Sequence, residues 1–217
     1  MPRAIVAAVL LLALLGLGWI FFGPKGKNLD PAQGARFAVG REDAPLVVVD
    51  FSNYLCGFCQ RHALEVLPRL KAEYIDTGKV RYLFRDFPFP GQDHVIRAGE
   101  AAACAQEQGR YHEYHEVLFR AASAWGNLRD QALDRYLVDL AGQLGLDVGA
   151  FQSCLASGRA RQGVLADQKL AQDLGLTGTP TFFIAGEKRT GFLLYEEWKA
   201  LLDKALEETQ GKDTPSY

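Results

Sequence analysis

No stretch constrains this chain more than Leu46-Val47-Val48-Val49-Asp50-Phe51-Ser52-Asn53-Tyr54-Leu55-Cys56-Gly57-Phe58-Cys59. Its opening is β-branched and apolar apart from one acid, and turn residues bound it, which predicts a buried strand. Gln60 to Leu67 continues as helix, so Cys56 and Cys59 fall in the first turn of a helix leaving the end of that strand. Unpaired backbone N–H groups and the helix dipole favour negative charge there. A thiol so placed ionises more easily than a free one, whose pKa is about 8.5. A fall to about 7 would raise the thiolate fraction at neutral pH from roughly 3% to half. The chemistry is expected here.

At 217 residues the chain can bury a full core, as one domain or as one domain with an insertion. A formal net charge of −2 with no basic face argues against nucleic acid as a partner. The four cysteines are too thinly spread for a disulfide-stapled miniprotein. Ala4 to Phe22 is 19 residues without a charge, between Arg3 and Lys25 and Lys27, just enough to span a membrane as a helix. A cleaved signal peptide is the alternative, but Gly16-Leu17-Gly18 is followed at once by bulky Trp19-Ile20-Phe21-Phe22. We therefore read 1–27 as a cytoplasmic stub and single-pass anchor, with the rest of the chain outside the cytoplasm, where disulfides persist. Secretion after cleavage is the competing localisation.

Residues 28–35 read as a linker holding the domain off the membrane. Phe37-Ala38-Val39 suits a short edge strand. After the Leu46 strand, a helix from Cys56 to about Thr77 is expected to kink at Pro68 and stop at Gly78. Val80 to Phe87 alternates as a second strand, completing a βαβ unit over 36–90. Residues 91–174 show only helical patterns: Asp93–Gln108, Tyr111–Ala124, Asp130–Leu144 with Asp130 as N-cap, Phe151–Ser157 and Arg161–Leu174, with Gly109, Gly145 and Gly175 as stops. Over 175–208 we expect strands Thr181–Ala185 and Thr190–Leu194, turning at Gly186-Glu187-Lys188, then a helix Tyr195–Glu208. Residues 209–217 are expected to be disordered.

This order, with Asp50-Phe51-Ser52 leading into Cys56-Gly57-Phe58-Cys59, Arg85-Asp86-Phe87-Pro88, and Gly178-Thr179-Pro180-Thr181-Phe182-Phe183, resembles the thioredoxin superfamily. Specifically, it is similar to the DsbA-type extracytoplasmic disulfide oxidoreductases over about Phe37 to Glu208. The resemblance implies an α/β thioredoxin fold with an inserted all-helical subdomain, here preceded by a transmembrane helix. It implies an enzyme that donates a Cys56–Cys59 disulfide to reduced or unfolded exported proteins, with no cofactor beyond that disulfide. A quinone-linked membrane thiol oxidase would recycle it. The same cysteines working as a reductase or isomerase, or a non-catalytic chaperone or metal-delivery module on this fold, are the alternatives.

Cys56, nearer the exposed helix end, is expected to attack, and Cys59, one turn in, to resolve. A zinc site lacks a second Cys-x-x-Cys or Cys-x-x-His. Burial should raise the pKa of Asp50; the resemblance makes it the acid that moves a proton to or from the buried cysteine, the alternative being an Asp50 turned to solvent or to a hydrogen-bonded edge. By resemblance Thr179-Pro180 is a cis-proline loop whose Thr179 backbone pairs with an extended substrate chain; the alternative is an ordinary turn. Gly57 and Phe58 tune the pair and touch substrate. Phe58 stands where DsbA enzymes often place a histidine, leaving helix-terminal N–H groups as the main thiolate stabiliser. Cys104 and Cys154 are either two buried thiols or, as in relatives of this pattern, a structural disulfide clamping the insertion. His112 and His115 are too few ligands for a metal site. His62 reads as solvated surface, and Phe87-Pro88-Phe89-Pro90 as an apolar substrate patch or plain loop packing.

Overall fold

The computed structural model of the protein describes residues 29–212, and every element below lies in the compact unit Pro31–Tyr217. The expected anchor and the last five residues lie outside the described residues. Among the described residues no helix is long and apolar enough to cross a membrane.

Five strands, β1 (Phe37–Val39), β2 (Leu46–Ser52), β3 (Val80–Asp86), β4 (Thr181–Ile184) and β5 (Glu187–Thr190), form one sheet in the order β1-β3-β2-β4-β5. Only β2 and β3 run parallel, because the helix between them carries the chain back across the sheet. The central strand β2 is covered on both faces. Leu46 and Val48 enter the larger core beneath that helix and the insertion, whereas Val49 and Phe51 pack with Leu83, Phe183, Ala171 and Leu176 on the opposite face. Strand alternation then puts Asp50 on the Val48 face, under the helix. Solvent is not an option for it.

Helix α1 (57–75) follows. Cys59, His62, Ala63, Val66, Leu67, Leu70 and Tyr74 are its buried stripe, at the three- and four-residue spacing of an amphipathic helix. Pro68 has no N–H to give the preceding turn. The helix absorbs this by widening to π geometry at His62–Val66, where the Leu67 N–H reaches back to His62 O; Lys71–Ile75 is a second π segment. Gly78, at φ +77°, ends the run.

The insertion comprises α2 (Asp93–Gln106), α3 (Tyr111–Arg120), α4 (Ala122–Trp125), α5 (Asp130–Gln143), α6 (Val148–Ser157) and α7 (Arg161–Asp173). Gly109, Gly145 and Gly175 stop helices with positive φ, as expected. Three expectations are corrected. The N-cap of α5 is Arg129, and Asp130 opens the helix at φ +49° without a capping bond. Helix α6 starts earlier than Phe151, because Asp147 accepts a hydrogen bond from Ala150 N–H as its cap. The hairpin turns at Ala185 (φ +51°) and Gly186 (φ +81°), a two-residue turn with both residues left-handed, so Ile184 pairs with Glu187 and β5 is Glu187–Thr190 rather than Thr190–Leu194. That edge strand reads Glu-Lys-Arg-Thr, with no apolar alternation to announce it and charges that discourage further pairing.

Two boundaries also move. The last helix, α8 (Tyr195–Lys212), runs past Glu208, so residues 209–212 are helix and not a disordered tail. Residues 31–35 are not a free linker. Arg85 of β3 donates to the carbonyls of Pro31, Gln33 and Gly34 and pairs with Asp167 of α7 at 2.6 Å. Arg36 bridges Asp86 at 3.1 Å and Asp167 at 2.9 Å, and Ala32 and Ala35 pack on the second core. Charges this deep persist only when paired and hydrogen-bonded.

Candidate active site

Strand β2 ends at Ser52, where the Phe87 N–H donates to its carbonyl at 2.8 Å. Asn53, fully buried, then pins the turn. Its amide donates to Phe87 O at 3.0 Å and to Gln92 Oε1 at 2.7 Å, and its Oδ1 accepts from Leu55 N–H at 2.9 Å. The Cys56 N–H donates to Asn53 O at 3.0 Å. Cys56 thereby becomes the N-cap of α1, extended at φ −84°, with no acidic residue in the first turn to compete for the free N–H groups. Gln60 ties this turn to the insertion through Phe119 O at 2.7 Å. Asn53 and Gln60 carry roles that the sequence did not announce, since a polar residue in a turn usually faces solvent.

Cys56 and Cys59 are free thiols, the first half-buried, the second buried. Their ionisation is split widely. Cys56 is drawn down to about 5, chiefly by the Cys59 thiol donating to it, with the Thr179 side chain and the Cys59 and Phe58 N–H groups adding to this against some burial. In its thiol form, Cys56 Sγ instead donates to the Thr179 carbonyl at 3.3 Å. Burial, then the neighbouring Cys56 and Asp50 charges, push Cys59 far up. At neutral pH the pair is one thiolate and one thiol.

Asp50 sits below them. Burial raises its carboxyl to about 7, opposed by hydrogen bonds from Ser52 Oγ (2.6 Å) and Tyr82 OH (3.0 Å), while the Cys56 charge adds a little upward push. Tyr82 in turn meets His62 Nε2 at 2.8 Å. His62 is therefore not solvated surface: it is 1% exposed, packed against Phe182 and Trp198, and burial lowers its pKa to about 3. Its Nδ1 has no partner, and the Tyr82 hydroxyl already gives its single proton to Asp50 Oδ2, so the Tyr82 oxygen can only accept from His62. The network thus assigns the proton of neutral His62 to Nε2. The helical stripe Cys59-His62-Val66 held the signal for this burial, and residue polarity hid it.

Opposite Cys56, the Thr179–Pro180 peptide is cis. Thr181 Oγ1 donating to Gly178 O at 2.7 Å and Gly191 N–H donating to Pro180 O at 2.8 Å hold that loop. The outer rim is open. A Cβ on Gly57 would meet nothing within 4 Å, and a cavity of about 330 Å³ lies beside Cys56, lined by Leu55, Gly57, Gln60, Ser123 and Asn127 among others. Phe58 is 55% exposed and stacks on Phe192, whose other partner is the Arg61 guanidinium, 4.3 Å above the ring. Phe87 is buried and Phe89 packs beside it on the second core, so Phe87-Pro88-Phe89-Pro90 is loop packing.

Cys104 of α2 and Cys154 of α6 are bonded to each other. They join α2 to α6 and clamp the insertion. His115 is buried among Tyr54, Phe84, Tyr111 and Phe119. Among the described residues no three His, Cys, Asp or Glu side chains converge on a metal position.

The thioredoxin family model matches residues 32–204. The chain is similar to the probable disulfide bond formation protein D of Bacillus anthracis, 29% identical over 178 residues that cover 81% of this chain and 80% of that one. The structure is similar to crystalline alpha-DsbA1 of Wolbachia pipientis, with a TM-score of 0.71 and 26% identity, over 81% of this chain and 92% of that one. It shares its fold with oxidised BdbD from Bacillus subtilis, at a TM-score of 0.66 and 24% identity, over 78% of this chain and 92% of that one.

Proposed function

The chain belongs to the thioredoxin family, as a DsbA-type protein disulfide oxidoreductase working by thiol–disulfide exchange, and from that premise we propose that it acts as an oxidase. Outside the cytoplasm, held by its apolar amino-terminal segment, it donates the Cys56–Cys59 disulfide to exported proteins still carrying reduced cysteines. A substrate thiolate attacks Cys56 Sγ and Cys59 leaves. A second substrate thiol then attacks the mixed disulfide, and Cys56 departs as the thiolate. The single observation carrying the direction is the placement of Cys56 as the N-cap of α1, half-buried beside the Cys59 thiol, which draws its thiol down to about 5. A stabilised thiolate is a good leaving group, and it favours the reduced enzyme over the oxidised one, which is what makes a disulfide oxidising.

Asp50 supplies the proton that Cys59 needs on leaving, and takes it back when the pair re-forms. Its raised pKa suits transfer near neutrality. The Thr179 backbone beside Cys56 would pair with extended substrate, while Gly57 and Phe58 form the open rim. No group other than the disulfide is called for, and a quinone-linked membrane oxidase is the recycling partner this direction requires.

Equilibrating the Cys56–Cys59 pair against glutathione buffers tests the direction. An oxidase should lie well above thioredoxin's roughly −270 mV, toward the roughly −120 mV of the strongest oxidants. A potential near thioredoxin's would turn the assignment to a reductase. Suppression of substrate aggregation by a protein lacking both cysteines, without any thiol exchange by the intact one, would turn it to a chaperone.

A further inference from the structure

Asp50 does not stand alone in the core. From α1, Cys56 and Cys59 face it; from β3, Tyr82; from β2 itself, Ser52; β4 offers Phe182, its register partner. Behind Tyr82 stands His62, enclosed by Phe182 and by Trp198 of α8, with His115 of α3 within electrostatic reach of it. No lysine or arginine faces this acid among the described residues. Neutral dipoles alone temper its charge.

We propose that His62 and Tyr82 are positioning residues for the buried acid, the line His62 Nε2–H, Tyr82 O–H, Asp50 Oδ2 fixing how Asp50 exchanges its proton with Cys59. The inference rests on the proton role given to Asp50 above. Tyr82 has one proton and two directions in which to spend it. The Tyr82 proton goes to Asp50 Oδ2 and Ser52 donates to Oδ1, which leaves the Tyr82 oxygen to accept from His62 Nε2–H. Both bonds favour the carboxylate and hold it within reach of neutral pH despite complete burial.

The step is balanced without another reactant. When Cys59 attacks a mixed disulfide at Cys56, the Cys59–Cys56 bond forms and the bond to the substrate sulfur breaks. The substrate sulfur leaves with the electron pair, and the Cys59 proton passes to the Asp50 carboxylate. In the oxidising direction the incoming thiolate displaces Cys59, which keeps its electron pair and recovers that proton.

The test charges Cys56 with glutathione as a mixed disulfide in the full chain and follows glutathione release by Cys59 against pH. In the wild type, release should accelerate through a break at or a little below pH 7, since Cys56 carries no charge in the mixed disulfide; Asp50→Asn should abolish that break. Tyr82→Phe removes a donor to the carboxylate and should move the break up by about one pH unit. His62→Leu should move it the same way by less, and His62→Gln, which keeps an N–H donor, should return it toward the wild-type position. A break unmoved by Tyr82→Phe and His62→Leu, even if both variants melt at lower temperature, would make the pair mere packing and overturn this inference while leaving the role of Asp50 intact. A wild type with no break sensitive to Asp50→Asn would overturn both.

Discussion

Cys56 and Cys59 are the same side chain three positions apart, and their surroundings drive their ionisation in opposite directions. Cys56 caps a helix beside donors, whereas Cys59 lies in the core beside two negative groups. The thiolate absorbance of the reduced protein should titrate with a midpoint near pH 5 and vanish in Cys56→Ser. An unfolded thiol titrates at about 8.5, so ionised Cys56 contributes its full stabilisation to the dithiol protein only above that pH. The contribution shrinks as pH falls and is gone below about 5. Thermal unfolding of the dithiol protein relative to Cys56→Ser should show this growing advantage from pH 5 upward. A midpoint near that of free cysteine would remove the basis of the oxidase reading.

Among the elements, α1 and α7 show how backbone and side chain set each other. Pro68 widens the preceding turn of α1 and a second π segment follows at Lys71–Ile75, yet the stripe from Cys59 to Tyr74 stays inward. In α7, Gly163 is where Arg36 crosses the helix: a Cβ there would lie 2.6 Å from Arg36 Nε. The guanidinium cannot simply step aside, because Asp86 and Asp167 hold it. Gly163→Ala gains about 1 kcal/mol of helix propensity, and should still lower stability by about 1–3 kcal/mol through the disturbed buried ion pairs. Measured by denaturant unfolding, that loss should disappear in an Arg36→Ala background. If the loss is the same in both backgrounds, Arg36 is not the cause.

For the molecule as a whole, the disulfide and the ion cluster hold separate seams. Cys104–Cys154 closes a loop with a sequence separation of 50 and joins α2 to α6 inside the insertion. In the chain-entropy model such a loop is worth roughly 4 kcal/mol. The double variant Cys104→Ala, Cys154→Ala should lose about 2–5 kcal/mol of stability while its Cys56 thiolate keeps the same titration midpoint. A shifted midpoint would mean that the insertion sets the reactive thiol as well as framing it. Arg85, Asp86, Asp167 and Arg36 tie residues 31–35, β3 and α7 together at the other seam.

The sequence by itself determined the strand-to-helix delivery of two cysteines, the βαβ unit around them, the helical insertion with its glycine stops, and an acid among valines. These rest on local periodicity and turn chemistry, which any stretch of chain carries within a dozen residues. Only the tertiary structure decided that residues 31–35 join the domain, that the hairpin pairs Ile184 with Glu187, that Cys104 meets Cys154, and that His62 is buried behind Tyr82 and Asp50. Each of these depends on a partner far along the chain. A polar side chain such as His62 or Arg85 is read as exposed until the one group that satisfies it is brought alongside.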